Sequence, residues 1–460
     1  MQDSSLMNPL NHICLFLFLC SAVLPTACTA QSAEAGLLAR ADSEMDKLGQ
    51  FLTFERDKLK IKFGVESRYR LEYKDDFNFN DAAYEDDAIN LFRDRLNADL
   101  TVGSRVRGFI EAQDAESFAE SRLNKTSLNV NRFDLRQLFT ELKSPWDGIP
   151  VSVKVGRQEL SYGDQRFVGA FNWSNVARVF DAVKAIYTPK KWLKADVWLS
   201  QVVSVKRLQA DSAAHEDNFY GAYTTLGPFR EHVLDMFLFV RHNKKTVAGE
   251  RSGEVGQLKE YTLGNRFKGK HANLDYGIEW AFQFGSRTHD KIRAWAWHNE
   301  VGYTFASVSW TPRVDFEFNY GSGDDNTTDG IFKNFDNLFP TNHFFYGYMD
   351  FASLRNMNNF KIGLEAKPYP KLKLVSGYHW FFLDSNKSAW FNASSTVIRA
   401  AAPGASTTLG QEIDLLAKWQ MMKHLEILLG YSHFFTGAFV SNTGSSSDAN
   451  FFYLQTVFTI

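Results

Sequence analysis

The chain has 460 residues, with 51 Lys and Arg against 53 Asp and Glu and a formal net charge of −2. That near-neutral balance gives no reason to expect a nucleic-acid partner, and a mean hydropathy of −0.30 excludes a bundle of membrane-spanning helices. It leaves open a membrane β-barrel, in which only every second residue meets lipid.

Residues 13–24 form a short apolar run, followed by Pro25 and the small-residue stretch 26–30. This is the layout of a secretory signal peptide over residues 1–30, with cleavage expected after Ala30. Its n-region lacks Lys and Arg, and a lipidated Cys28 is the alternative reading. Cys14, Cys20 and Cys28 all lie here, so the exported chain would carry no thiol for catalysis or metal binding. Residues 31–60 are expected to form an N-terminal periplasmic segment. Within it Leu37, Leu38, Ala41, Met45 and Leu48 suit a weakly amphipathic helix, or else a solvated tail.

From residue 61 to 460 the period is two. Phe63, Val65, Tyr69, Leu71 and Tyr73 share one face; Glu66, Arg68, Arg70 and Glu72 share the other. Phe92, Leu96, Ala98 and Leu100 alternate with Arg93, Arg95, Asn97 and Asp99, and Asp94 is out of pattern. Val106, Gly108, Ile110 and Ala112 then oppose Arg105, Arg107 and Glu111. Residues 114–132 read as a polar loop, and 133–142 as a strand with Arg136 inward. Val151, Val153 and Val155 oppose Ser152 and Lys154, and a glycine-punctuated loop follows with Arg157, Asp164 and Arg166. Arg178 closes a further segment rich in Trp, Asn and Gly. Clean alternation recurs at 193–203, and further strand candidates, 298–309 among them, continue to 450–460. A greasy face and a charged face on one sheet suit a wall between lipid and a water-filled lumen. The fold expected is all-β: a transmembrane antiparallel barrel of about 18 strands, with 16 as the lower count. Short turns on one side and long loops on the other fit the outer membrane, with the lipid bilayer and lipopolysaccharide as surroundings. Aromatic content of 15% suits interfacial girdles, with a soluble aromatic sandwich or propeller as the alternative. The terminal strand, with Phe452, Leu454, Phe458 and Ile460 on one face, is the element that barrel assembly machinery would recognise.

Residues 155–166 (VGRQELSYGDQR), 171–178 (FNWSNVAR), 320–326 (YGSGDDN), 335–350 (FDNLFPTNHFFYGYMD) and 430–435 (GYSHFF) together resemble the alginate export family of outer-membrane barrels. The resemblance covers essentially residues 60–460. It implies a monomeric 18-stranded channel passing an anionic polysaccharide through an arginine-rich constriction.

The inward basic residues are the candidate substrate-binding set: Arg68, Arg70, Arg93, Arg95, Arg105, Arg107, Arg136, Lys154, Arg157, Arg166 and Arg178. A guanidinium holds its charge at any working pH and grips carboxylates through two parallel bonds, so a ring of them would gather anions. Salt bridges to Glu66, Glu72, Asp99 and Glu111 are the competing use, and both can hold together. The acidic run 323–330 lacks the spacing of a calcium loop and reads as a surface turn. No nucleophile, metal or cofactor motif appears, so no catalytic or metal residues and no cofactor are assigned. The expected function is an outer-membrane channel passing an anionic, alginate-like polysaccharide or related anionic solutes through an arginine-lined lumen; the alternative is a substrate-specific porin taking up small anions or nutrients.

Overall fold

The computed structural model describes residues 33–81, 87–119, 126–146, 148–251 and 254–460. The expected signal peptide, its cleavage site and the three cysteines lie outside the described residues.

Eighteen strands form one closed antiparallel barrel. They are β1 Leu59–Asp75, β2 Asp87–Val102, β3 Val106–Ala119, β4 Asn131–Trp146, β5 Ile149–Gln158 and β6 Phe180–Lys190. Next come β7 Leu193–Ser204, β8 Ser212–Phe229, β9 His232–Ala248, β10 Val255–His271, β11 Leu274–Arg287 and β12 Asp290–Thr304. The last six are β13 Arg313–Gly321, β14 Met357–Tyr369, β15 Leu372–Phe382, β16 Thr408–Met422, β17 Leu425–Thr436 and β18 Ala449–Thr459. Each strand pairs with the next, and β18 closes on β1 from Glu66↔Thr459 to Asp75↔Asn450. Closure satisfies every edge, which a wall in hydrocarbon requires.

Alternation decides which side chains enter the barrel. On β2, Ile89, Leu91, Arg93 and Arg95 are buried inside, while Phe92, Asp94 and Leu96 point outward. Much of the outer face elsewhere is apolar, with Val153, Val155, Val197, Leu199, Leu238, Leu263, Phe316 and Ile362 exposed on it. Two boundaries differ from expectation. The stretch 114–132 is not all loop: β3 runs to Ala119 and β4 begins at Asn131. Asp114, Glu116 and Arg132 are strand residues, and Arg132 of β4 ion-pairs with Glu116 of β3 across the ladder. β12 begins at Asp290, well before the expected 298.

Short turns lie at the end of the barrel where β1 begins at Leu59 and β18 stops at Thr459, which is the periplasmic side of an outer-membrane barrel. There helix α1, Ala33–Phe51, leads to a short strand, Thr53–Arg56, that folds back on the start of β1. Asp42 accepts a hydrogen bond from the Lys423 backbone N–H, and Asp46 pairs with the side chains of Lys423 and His424. These bonds tie the helix to the β16–β17 turn and hold the Asp46 carboxyl below the ordinary aspartate value.

Three long loops from the opposite side fold into the barrel: 159–179, 322–356 and 383–407. Their buried residues include Leu160, Phe167, Phe335, Phe339, Tyr346 and Trp390. The hydrophobic core therefore sits inside the barrel, between loops and wall.

Candidate functional site: the loop-lined lumen

The inner wall has two unlike halves. On β1–β4 it presents arginines. Arg68, Arg70, Arg93 and Arg95 are 2–5% exposed, and each bonds loop 159–179. Arg68 donates to the carbonyl of Asn172 at 2.8 Å, and Arg93 to those of Asn172 and Ser174 at 3.0 and 3.2 Å. Arg70 donates to the Trp173 carbonyl at 2.7 Å and stacks over its indole at 3.8 Å. Arg95 reaches the Asn172 side chain at 3.1 Å. These guanidiniums anchor a loop by its backbone, and all four acids named as competitors are paired. Glu66 holds Arg93 at 2.6 Å, Glu72 holds Arg70 at 2.8 Å, Asp99 holds Arg107 at 2.7 Å and Glu111 holds Arg136 at 2.5 Å.

On β7–β9 the inner wall is aromatic. Trp198, Phe219, Tyr223, Phe237 and Phe239 are buried. Tyr162 of the same loop stacks on Trp198, with centroids 4.6 Å apart and planes 9° apart. Gly221 makes this possible, because a Cβ there would collide with the Trp198 indole. Loop 159–179 is thus held by charge-assisted bonds on one side and by ring packing on the other.

The second loop crosses the first. Gly169 N–H donates to Phe339 at 2.8 Å, Phe339 N–H to Phe167 at 3.0 Å and Thr341 N–H to Gln165 at 2.9 Å. Trp173 stacks on His343 at 3.8 Å. His343 in turn contacts Asp350 at 3.0 Å, and Asn342 donates to Ala393 of the third loop at 2.7 Å. Phe171 and Leu338 take left-handed backbone, φ 50° and 55°. Bulky residues rarely do so outside constrained sites.

Above this crossing, on the long-loop side, lies a pocket of about 400 Å³ lined by Phe171, Arg178, Arg241, Arg287, Asp336, Leu338, Asn342 and Arg355. Arg241 pairs with Asp217 at 2.9 Å and Asp336 at 3.0 Å. Among the described residues, Arg178 donates only to the carbonyls of Gly169 and Pro340. Arg287 and Arg355 lie over the Phe332 ring at 4.6 and 5.9 Å. Among the described residues, none of Arg178, Arg287 and Arg355 forms an ion pair. Below the crossing a pocket of about 300 Å³ is bordered by Arg68, Arg93, Asp164, Asn172, Phe344 and Lys418. Trp173 borders this pocket and a neighbouring one on the upper side.

The remaining sequence candidates scatter. Arg136 lies inside, tied to Glu111 and Glu159. Arg107 lies nearer the periplasmic mouth, and Lys154 sits over the Phe139 ring at 3.5 Å. Arg166 is buried beneath the crossing, with Glu279 at 3.3 Å and the Tyr346 hydroxyl at 3.1 Å. Two placements correct the sequence reading. Arg105 is not on a strand but in the β2–β3 turn, exposed, where it lines a pocket at the periplasmic mouth with Lys143 and Ser152. Arg157 is not in a loop: β5 continues to Gln158, so alternation sends Arg157 to the outer face, paired with Asp181 at 2.8 Å. Arg241, Arg287, Arg355 and Trp173 were not singled out by sequence. The acids of 323–330 serve the turn itself: Asp324 accepts from the N–H groups of Asn326 and Lys333. Among the described residues, no three His, Cys, Asp or Glu side chains gather as a metal would need.

The family described as alginate export matches residues 59–453. No curated protein matches the chain. Among solved structures, Pseudomonas aeruginosa OccK5 (OpdH) superimposes with a TM-score of 0.56 at 11% identity, over 87% of this chain and 98% of that one. Pseudomonas aeruginosa OpdO gives 0.56 at 12%, over 87% and 97%. Pseudomonas aeruginosa OpdK, solved with vanillate, gives 0.56 at 11%, over 87% and 98%. At such identities the likeness is one of fold.

Proposed function

Since this chain belongs to the alginate export family and is an outer-membrane channel, we propose that its cargo is a carboxylate-bearing solute, drawn in by the arginine pocket above the loop crossing. Family and fold are those of transport channels, not enzymes. The observation that carries the proposal is the convergence of Arg178, Arg241, Arg287 and Arg355 on one pocket, three of them without an ion-pair partner among the described residues. Guanidinium groups with unspent bonding capacity in a walled site attract carboxylates and repel cations. Asp336 competes for the same groups, so each contact with cargo is weak and release is fast. The ring of Phe171 beside the path suits the flat faces of sugar or aromatic acids. OpdK, solved with an aromatic carboxylate, is consistent with that class.

The crossing loops leave pockets of a few hundred Å³, which favours small acids or short uronate oligomers. Passage of a whole polyuronate is the second reading, favoured by the family's description. Channel recordings in planar bilayers separate the two. Anion-selective current is expected, blocked by mono- and oligo-uronates. Arg178→Gln with Arg355→Gln should lower anion preference about tenfold, roughly 1.4 kcal/mol for two weak contacts. Cation selectivity in the unaltered protein would overturn the proposal, and block by long polymer from one side only would favour the polymer reading.

A further inference from the structure

The outer wall holds a second arrangement that transport does not use. On β9–β12 a row of outward residues runs in register near the long-loop end: His242↔Lys259↔Ser286↔Lys291. One row deeper come Tyr261↔Phe284↔Arg293, then Leu263↔Phe282↔Trp295, then Asn265↔Trp280↔Trp297. Lys259, Lys291 and Arg293 are exposed, and among the described residues none has an ion-pair or side-chain hydrogen-bond partner. Beneath them Trp280, Phe282, Trp295, Trp297, Phe318 and Tyr320 line an open apolar groove of about 510 Å³. Arg293 and Trp295 share one face of β12 two residues apart, roughly 7 Å along the strand.

We propose that this face is a binding site for a phosphorylated, multiply acylated glycolipid of the outer leaflet. The cations would take its phosphates, and the tryptophan groove one acyl chain. Unpaired cations at the margin of hydrocarbon are costly unless a headgroup phosphate meets them, and clustered Lys and Arg at that depth read as an anionic-lipid site. The patch is not part of a uniform ring. On β1–β3 the outward row Ser67↔Asp94↔Asp114 carries acids instead, and the outward Arg132 nearby is paired with Glu116. A phosphate would be repelled there.

The test uses the full chain purified in detergent, with folding checked by heat-modifiable gel migration, and native mass spectrometry as readout. The probes are purified lipid A, phosphatidylethanolamine of matched acyl length, and inorganic phosphate. Lipid A should bind in preference to both, and Lys259→Ala with Lys291→Ala and Arg293→Ala should weaken it about tenfold or more. Should the triple variant not fold, Lys291→Ala alone is expected to weaken binding about threefold. Undiminished lipid A binding by the folded variants overturns the site. Equal occupancy by inorganic phosphate or by phosphatidylethanolamine also overturns it, since the first needs no lipid and the second no anionic headgroup.

Discussion

The arginine half and the aromatic half of the inner wall hold the same loop by different means. Arginines on β1 and β2 seize backbone carbonyls of residues 172–174, a contact indifferent to which side chains the loop carries. The rings on β7–β9 need shape: Tyr162 must lie flat on Trp198, and Trp198 needs the bare backbone of Gly221. One side fixes where the loop runs, and the other fixes how tightly it packs. Loss of the first should chiefly widen the channel, and loss of the second should chiefly cost stability.

The sharpest break is on the aromatic side. Trp198→Ala removes a ring that is 1% exposed and should cost about 3–5 kcal/mol, as buried Trp truncations do. Urea unfolding in micelles reads this, while single-channel conductance of the protein that remains folded should stay close to the original. A conductance change as large as that of the arginine variants would erase the distinction. On the other side, Arg93→Ala strips two carbonyl bonds and leaves Glu66 without its nearest partner. About 2–3 kcal/mol of stability should be lost, the scale of charge-assisted bonds. Conductance should rise several-fold as residues 171–174 leave the wall, and Arg93→Lys should restore little because it lacks the fork.

That division also explains what the sequence made legible. Barrel, strand count and the inward placement of Arg68, Arg70, Arg93, Arg95 and Arg136 follow from alternation, because charge on every second residue stands out against Leu, Phe and Val. The aromatic half gives no such contrast. On β8, Phe219 and Tyr223 face in while Tyr220 faces out, and period two cannot say which apolar face is wet. Arg157 was misplaced because Gly156 looked like the start of a loop, whereas the strand passes through it with φ 125°. The pocket draws its four arginines from β9, β11 and two loops. Single arginines far apart in sequence show no local pattern, so only closure of the barrel reveals that they meet.

A smaller effect tests whether the pocket depends on the rim that frames it. Glu250, in the loop after β9, accepts a hydrogen bond from Gly330 N–H at 2.8 Å. That bond holds Ile331 and Phe332 alongside Lys291 and Ile292 of β12, and the Phe332 ring supports Arg287 and Arg355. Burial pushes the Glu250 carboxyl up to about 7, helped by its hydrogen bond with Asp324 and by the charge of Asp290. A carboxyl raised in the folded state contributes stability that is complete below its ordinary value and is lost as pH rises through the folded one. Between about pH 5 and 8, therefore, segment 324–332 should loosen with rising pH, exchange its amide hydrogens faster, and relax the anion preference set by Arg287 and Arg355. Glu250→Gln keeps an acceptor for Gly330 and cannot ionise, so it should hold the low-pH behaviour throughout. If exchange in 324–332 ignores pH in the unaltered protein, the rim does not govern the pocket, and the arginines are positioned by the inner wall alone.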